Sequence, residues 1–465
     1  MRYVSTRGEA AEVGFDEAML AGLAPDGGLY VPRDWPVLAK EEIAAFAGRP
    51  YAEVAAAILA RFAGQAIDRA QLEDLCADAY AGFSHAAVAP LRQLAPGRFL
   101  LELFHGPSLA FKDMAMQLLA RLYEHVLARA GRTLTIVCAT SGDTGGAAVE
   151  ALRGRANIRL VVLFPEGRIS ETQRRFMTTA AEPNVACLAV AGTFDDCQAM
   201  LKAMFQDAQF AQAVALSGVN SINWARIAAQ CVYFVTSAVA LGAPHRPVAF
   251  AVPTGNFGSA YAGFVAQRLG LPVERIVTAV NANDIVARAL MHGRYARGEV
   301  TRTRSPAMDI QVASNFERYY FEACGRDATE TARAFRAFAR QGAIDIPPRA
   351  LAAMRVLMRG QSVSEAQTQR TMRATLNETG ELIEPHTAVG LAAALAAGPA
   401  EAGTPMVVLG AAHPAKFPEA VSEATGIAPP LPAAAARLFS LPERSDRIAA
   451  DVEAAKSFVR EFALA

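Results

Sequence analysis

His105-Gly106-Pro107-Ser108-Leu109-Ala110-Phe111-Lys112-Asp113 is the stretch on which the reading of this chain turns. It sets one lysine between a strand-like run, 98–104, and a helix-like run, 114–130. With Phe111 and Ala110 beside it, Lys112 lies where the chain turns inward, unlike a solvated surface lysine. An apolar setting disfavours an ammonium and frees the amine as a nucleophile. Such lysines form Schiff bases with carbonyl compounds, pyridoxal phosphate among them. A helix-start lysine or a buried Lys112–Asp113 pair fits the same residues, because structural ion pairs also hold buried charges.

Outward from this stretch the pattern alternates. The run 134–139 is short and β-rich and ends in Thr140-Ser141-Gly142-Asp143-Thr144-Gly145-Gly146, with an alanine-rich helix to about Arg153. Further strands are predicted at 159–164, 185–190, 248–252, 275–280 and 405–409. Helices are predicted from about Ser170, over 195–206 and over 223–241. Short apolar strands separated by helices mean parallel sheets covered on both faces. Two such runs, 130–215 and 245–285 with 405–410, imply two α/β domains. Before them, 1–95 reads as a helical cap: a turn-rich segment at 23–32, then helical patterns at 40–47, 51–64 and 69–82. Residues 326–380 read as mainly helical, and 428–436 as an Ala/Pro surface loop before a C-terminal helix over 445–462. The expected domains are 1–95, 96–218 and 219–465.

Composition sets the outer bounds. The 465 residues are 52% hydrophobic and 19% charged, enough to bury a large core. Lys plus Arg equals Asp plus Glu at 45 each, so no whole-chain charge draws the protein to nucleic acid or a membrane surface. No apolar run is long and clean enough to span a bilayer. The six cysteines show no CxxC and no metal-ligand spacing, and read as buried thiols of a reducing compartment. The opening residues lack an apolar core of the signal-peptide kind, so a cytoplasmic protein is expected.

Three strand-to-helix turns carry chemistry. In Thr254-Gly255-Asn256-Phe257-Gly258, glycines let backbone N–H groups converge on an anion at a helix N-terminus, though a tight connection needs the same residues. The hydroxyls and free N–H groups of 140–146 suit a carboxylate, or form a Ser/Thr helix cap. Ala411-Ala412-His413-Pro414-Ala415-Lys416-Phe417 follows the last strand, at a carboxyl end where open α/β sheets place ligands.

Together these stretches resemble a known family. Residues 105–113 are similar to the HGPTxAFKD signature of threonine synthases. Residues 23–32, 140–146, 220–226 (NSINWAR), 253–258, 305–309, 314–318, 384–390 and 412–417 resemble that family's motifs in its order. The SGDTG and AHPAKF forms resemble its longer bacterial and fungal branch. The resemblance implies the tryptophan synthase β-like architecture, PLP fold type II: two parallel-sheet α/β domains with an N-terminal helical cap. It also implies conversion of O-phospho-L-homoserine and water to L-threonine and phosphate, with pyridoxal phosphate as cofactor, in a monomer or homodimer.

Residue by residue, the resemblance makes Lys112 the Schiff-base lysine. Gly255, Asn256, Phe257 and Gly258 match the loop for the cofactor phosphate. Ser141, Gly142 and Thr144 match the loop facing the substrate carboxylate, with Asp143 near the cofactor's phenolic oxygen. Asn223 and Arg226 fall near the substrate, and Arg226 is chosen over Lys416 and Arg175 for its phosphate. His386 and His413 sit in motifs without an assigned role. Two departures stand out. Ser108 replaces the usual threonine, keeps its hydroxyl and is expected among the substrate-binding residues. Ala411 replaces a threonine whose hydroxyl meets the pyridine nitrogen, and a methyl cannot make that bond. Two rival readings remain: another lyase of this fold, such as a serine/threonine dehydratase, and a catalytically silent paralogue that binds the cofactor, supported by Ala411 alone.

Overall fold

The computed structural model describes residues 1–401 and 403–464. The chain divides into two compact units. One comprises Met1–His105 with Ser221–Pro429; the other comprises Gly106–Asn220 with the segment from Pro430 onward.

The first unit is built on a six-stranded sheet. Its order is Met358–Ser362, Val273–Val280, Val248–Pro253, Met406–Gly410, Arg98–Glu102 and Leu91–Ala95. All neighbours are parallel except the last pair. From Val248–Pro253 the chain builds outward in one direction, then returns on the other side with Met406–Gly410. Strand order thus reverses between these two strands, and the loops leaving their carboxyl ends are where open α/β sheets place ligands. The loops in question are 254–258 and 411–417. The helix Pro385–Ala396 covers one face and is buried along nearly its whole length, as a helix rich in alanine and glycine permits. Three helices, Lys40–Ala44, Tyr51–Ala63 and Arg69–Ala81, stand where the cap was expected, beside a small Tyr3–Ser5/Tyr30–Pro32 ribbon.

The second unit has a five-stranded, wholly parallel sheet: Asp446–Ala449, Val185–Ala191, Ile158–Pro165, Leu134–Ala139 and Leu216–Ser217. Here the order reverses between Leu134–Ala139 and Leu216–Ser217. The loop 140–146 leaves the carboxyl end of that first strand, so it too sits at a switch point.

Several expectations are corrected. Met358–Ser362, inside the segment expected to be helical, is a strand; its Met-Arg-Gly-Gln-Ser sequence has no strand pattern, and pairing with Val273–Val280 supplies the order. The expected helix over 445–462 begins only at Val452; Asp446–Ala449 is instead drawn onto the free edge of Val185–Ala191. The Ala/Pro segment is not all surface: Ala433–Ala436 is a short helix, and Ala435 packs with Leu109, Phe176 and Leu438 in a buried cluster. Arg98–Glu102 joins the first unit, because it hydrogen-bonds to Met406–Gly410. The tail beyond Pro430 joins the second unit through its strand.

Candidate active site

In the second unit, the turn before the helix Asp113–Ala130 is held by its own aspartate. Asp113 is fully buried, and its carboxylate accepts from Ser108 N–H at 2.7 Å and Ser108 Oγ at 2.8 Å. A Cβ on Gly106 would lie 2.4 Å from Asp113 Cβ, so only glycine fits there. Leu109 takes a left-handed φ of 58° and buries its side chain with Phe176. This brace places Lys112 at the N-cap of the helix with only 8% of its surface exposed.

Asp113 is therefore occupied by Ser108, while the lysine meets a different acid. Lys112 Nζ lies 3.5 Å from Asp143 Oδ2 and 5.0 Å from the centre of the Phe111 ring. Asp143 opens the helix Asp143–Leu152, directly after the strand Leu134–Ala139. Thr140 organises that turn, its hydroxyl accepting from the N–H groups of Gly142 and Gly145, each at 2.9 Å. Gly142 has φ 130°, and a Cβ there would lie 2.6 Å from the Gln173 amide carbon. Ser141 and Thr144 stay partly exposed at the loop. Ser108, by contrast, has no exposed surface and serves the brace. Arg175 is committed within this unit: it bonds Glu171 and the Leu438 carbonyl and stacks over Phe439.

In the first unit the anion loop is made of backbone. Phe257 caps the helix Gly258–Arg268 in a left-handed conformation, φ 63°, the geometry from which consecutive N–H groups form an anion-binding concavity. Its ring is buried against Phe316 and Tyr319, so the side chain anchors the loop. The Asn256 carbonyl accepts from both N–H and Nδ2 of Asn315, each at 3.0 Å, and Asn256 Oδ1 accepts from Ser314 Oγ. At Gly255 a Cβ would meet the Ala307 carbonyl at 2.6 Å. Gly258 differs: its Cβ position has ordinary contacts, the nearest 3.6 Å away. Of the two glycines assigned to close backbone approach, the protein itself requires only Gly255.

A buried acid backs this loop. Glu384 accepts from the N–H and Nδ1 of His386 and from the N–H and Oγ1 of Thr387, all at 2.6–2.7 Å. His386 Nε2 accepts from Ala307 N–H at 3.2 Å, which puts the ring proton on Nδ1. That contact holds the carbonyl that closes over Gly255. Thr387 Oγ1 accepts from Ala411 N–H at 2.9 Å, tying the same helix start to the end of Met406–Gly410. Ala411 itself is buried. Nearby, burial pushes the His413 imidazole down to about 4, with the neighbouring His105 adding to the effect. Its Nδ1 accepts from Ala415 N–H.

Asn223 and Arg226 lie in this unit as well. Asn223 is buried and caps the helix Trp224–Ala240, accepting from Ala225 N–H, while its Nδ2 donates to the Met19 carbonyl at 2.7 Å. Arg226 is buried in the first turn of that helix, and Lys416 is fully buried. Residues absent from the sequence-based site are Gln173, Glu384 and Asn315. The last two lie in recognised motifs; Gln173 carries no local signal beyond a Ser-x-x-Gln helix start.

Two doubly wound sheets, each with a glycine-bearing loop at its switch point, and Lys112 buried beside an acid in the second, suit a pyridoxal-phosphate-dependent enzyme, and comparison with known proteins shows that class. The family model described as "Pyridoxal-phosphate dependent enzyme" matches 88–362, and those for the threonine synthase N terminus and C-terminal part match 2–80 and 387–459. The chain belongs to the threonine synthase family: it is 46% identical to the threonine synthase of Pseudomonas aeruginosa over 99% of this chain and 98% of that one. It is 38% identical to that of Saccharomyces cerevisiae over 91% of this chain and 88% of that one. The crystal structure of PLP-bound threonine synthase from Brucella melitensis superposes with TM-score 0.97 at 48% identity, covering all of both chains. The yeast threonine synthase structure gives 0.94 at 35% identity, over 99% of this chain and 98% of that one. Taken separately, each unit holds a group of the kind the cofactor needs: in the second a buried lysine, which can bond an aldehyde, and in the first a loop closed at Gly255 and turned by left-handed Phe257, which suits a phosphate. Among the described residues, no helix is long and apolar enough to cross a membrane.

Proposed function

We propose that this protein converts O-phospho-L-homoserine and water to L-threonine and phosphate, the last step of threonine biosynthesis, with Lys112 as the catalytic residue. The observation that carries the reading is Lys112, buried beside an acid at a helix start, in a chain matched end to end by threonine synthases. Bound pyridoxal phosphate supplies an electron sink next to the substrate's amino carbon. Lys112 Nζ, once released from the cofactor, takes the Cα proton and moves protons between Cα and Cβ. Proton loss at Cβ expels the γ-phosphate, a proton delivered to Cγ makes the methyl group, water adds its hydroxyl at Cβ and gives up its proton, and reprotonation at Cα completes threonine. The roles of the loops follow the same reading. Gly255, Asn256, Phe257 and Gly258 hold the cofactor phosphate through backbone N–H groups and the positive end of the helix Gly258–Arg268. Ser141, Gly142 and Thr144 hold the substrate carboxylate, Asp143 steadies Lys112 and the cofactor, and Arg226 takes the substrate phosphate. Asn223 acts by orienting the helix that carries Arg226, with Ser108 shaping the lysine turn. A monomer or homodimer in the cytoplasm completes the proposal.

Incubation of the purified protein with pyridoxal phosphate and O-phospho-L-homoserine should yield threonine and phosphate in equal amounts. Formation of 2-oxobutyrate from threonine or pyruvate from serine, without phosphate release, would replace this reading with that of a dehydratase.

A further inference from the structure

Gln173 is 6% exposed and uses both ends of its amide. Its Oε1 accepts from Ser170 N–H at 3.3 Å and Ser170 Oγ at 3.2 Å, closing a capping box with Ser170 on the helix Glu171–Thr178. A backbone N–H only donates, so this contact settles which end of the amide is oxygen. Nε2 then points the other way and donates to Asp143 Oδ1 at 3.1 Å. Asp143's second oxygen, Oδ2, is the one 3.5 Å from Lys112 Nζ. The amide also lies where a Gly142 side chain would stand, with 2.6 Å between that Cβ position and Gln173 Cδ. Other charged groups on the packed elements turn to other partners: Arg174 to Glu443, Arg175 to Glu171 and Glu443, Glu150 to Arg153, Asp113 to Ser108.

We propose that Gln173 is a positioning residue for the reaction: by holding one oxygen of Asp143, it aims the other at the Lys112 amine and keeps that carboxylate from rotating. The proposal rests on Lys112 being the catalytic lysine. A carboxylate with one oxygen pinned has lost its torsional freedom before substrate arrives, the condition under which an orienting group is effective.

Gln173→Glu tests it, because it is nearly isosteric and keeps the cap. A glutamate at this position of the capping box accepts from Ser170 as well as glutamine does. It replaces the donor facing Asp143 with a second carboxylate. With the cofactor bound, kcat at pH 8 should fall at least about tenfold, as for loss of a charge-assisted hydrogen bond, and recover toward pH 6 as the pair takes up one proton. Without cofactor, the variant's stability deficit against wild type should shrink between pH 8 and pH 5, since two facing carboxylates bind a proton more tightly when folded. A side chain that only caps its helix predicts the reverse, because a charged glutamate caps best and acid would weaken it. A deficit that is flat or grows toward acid therefore overturns the proposal. So does wild-type kcat in Gln173→Glu. The control is Ser170→Ala, expected to lose stability while kcat at saturating substrate holds; a kcat loss matching that of Gln173→Glu would overturn the proposal too. The cofactor-free measurement does not depend on Lys112's role, and mapping of borohydride-trapped cofactor tests that role separately.

Discussion

The two switch-point loops solve the same problem with different materials. In the first unit, loop 254–258 offers backbone, and its one bulky side chain, Phe257, is spent on anchoring in the core. In the second unit, the residues proposed for the chemistry act through side chains: Lys112, Asp143 and Gln173, each fixed by a polar contact. A phosphate already carries its charge and needs only N–H groups in a concave arrangement. Proton transfer needs a titratable group at a set place. The first loop should therefore tolerate changes of side chain at Asn256 better than an added Cβ at Gly255, whereas the second unit should be sensitive both to the identity of Lys112 and Asp143 and to an added Cβ at Gly142.

The sharpest break would come at Lys112. Lys112→Ala should lower threonine formation at least about a thousandfold while the fold persists, within the range for a lost general acid–base. Cofactor should still associate, without attachment that survives borohydride reduction and peptide mapping. Reduced label on another lysine would move the catalytic centre and erase the comparison.

Acid should distinguish the units next. His413, in the first unit, is held down to about 4, so its folded form is neutral. As pH falls through 6.5 the unfolded chain takes a proton that the folded one refuses, and stability is lost down to about pH 4. The full effect is roughly 3 kcal/mol. Glu150, in the second unit, is raised to about 7 by burial against the opposing pull of Arg153, so its contribution runs the other way, and stability falls as pH rises through 4.5 toward 7. His413→Asn should flatten the acid limb and Glu150→Gln the neutral one. Hydrogen exchange followed separately in each unit between pH 4 and 8 checks both slopes; equal slopes in variant and wild type would remove the assignment.

Gly255→Ala tests the backbone cradle. Its Cβ would meet the Ala307 carbonyl, which cannot swing aside as a side chain does. Overpacking of this kind costs about 1–3 kcal/mol, so cofactor affinity by equilibrium dialysis should fall about ten- to a hundredfold. Gly258→Ala meets only ordinary contacts and should leave the cofactor-free protein as stable as wild type. An equal loss of stability in both variants would show that the cradle is tight throughout.

The smallest effect is expected at Ala411. Ala411→Thr adds a hydroxyl beside Thr387, which already accepts from the Ala411 N–H and donates to Glu384. One neutral hydrogen bond contributes about 0.5–1.5 kcal/mol, so turnover should change by at most about tenfold with cofactor binding kept. A large fall in turnover would mean that another group already serves the position.

Legibility in the sequence followed the range of the interaction. The lysine turn was readable because its contacts are local: Asp113 braces Ser108 five residues away, and Gly106 makes room for Asp113. The turn at 254–258 was readable because glycine between a strand and a helix marks a local change of backbone direction, though a tight connection needs the same residues. The chain by itself thus determined two α/β runs, the places of the lysine turn and both loops in them and, through the order of its motifs, the family. Only the tertiary structure decided that Met358–Ser362 and Asp446–Ala449 are strands, since their hydrogen bonds come from partners about eighty and two hundred and sixty residues away. It also decided that Lys112 meets Asp143 rather than Asp113, and that Gln173 holds Asp143. A side chain's partner across thirty residues is set by how the intervening strands and helices pack, and local sequence carries no record of that distance.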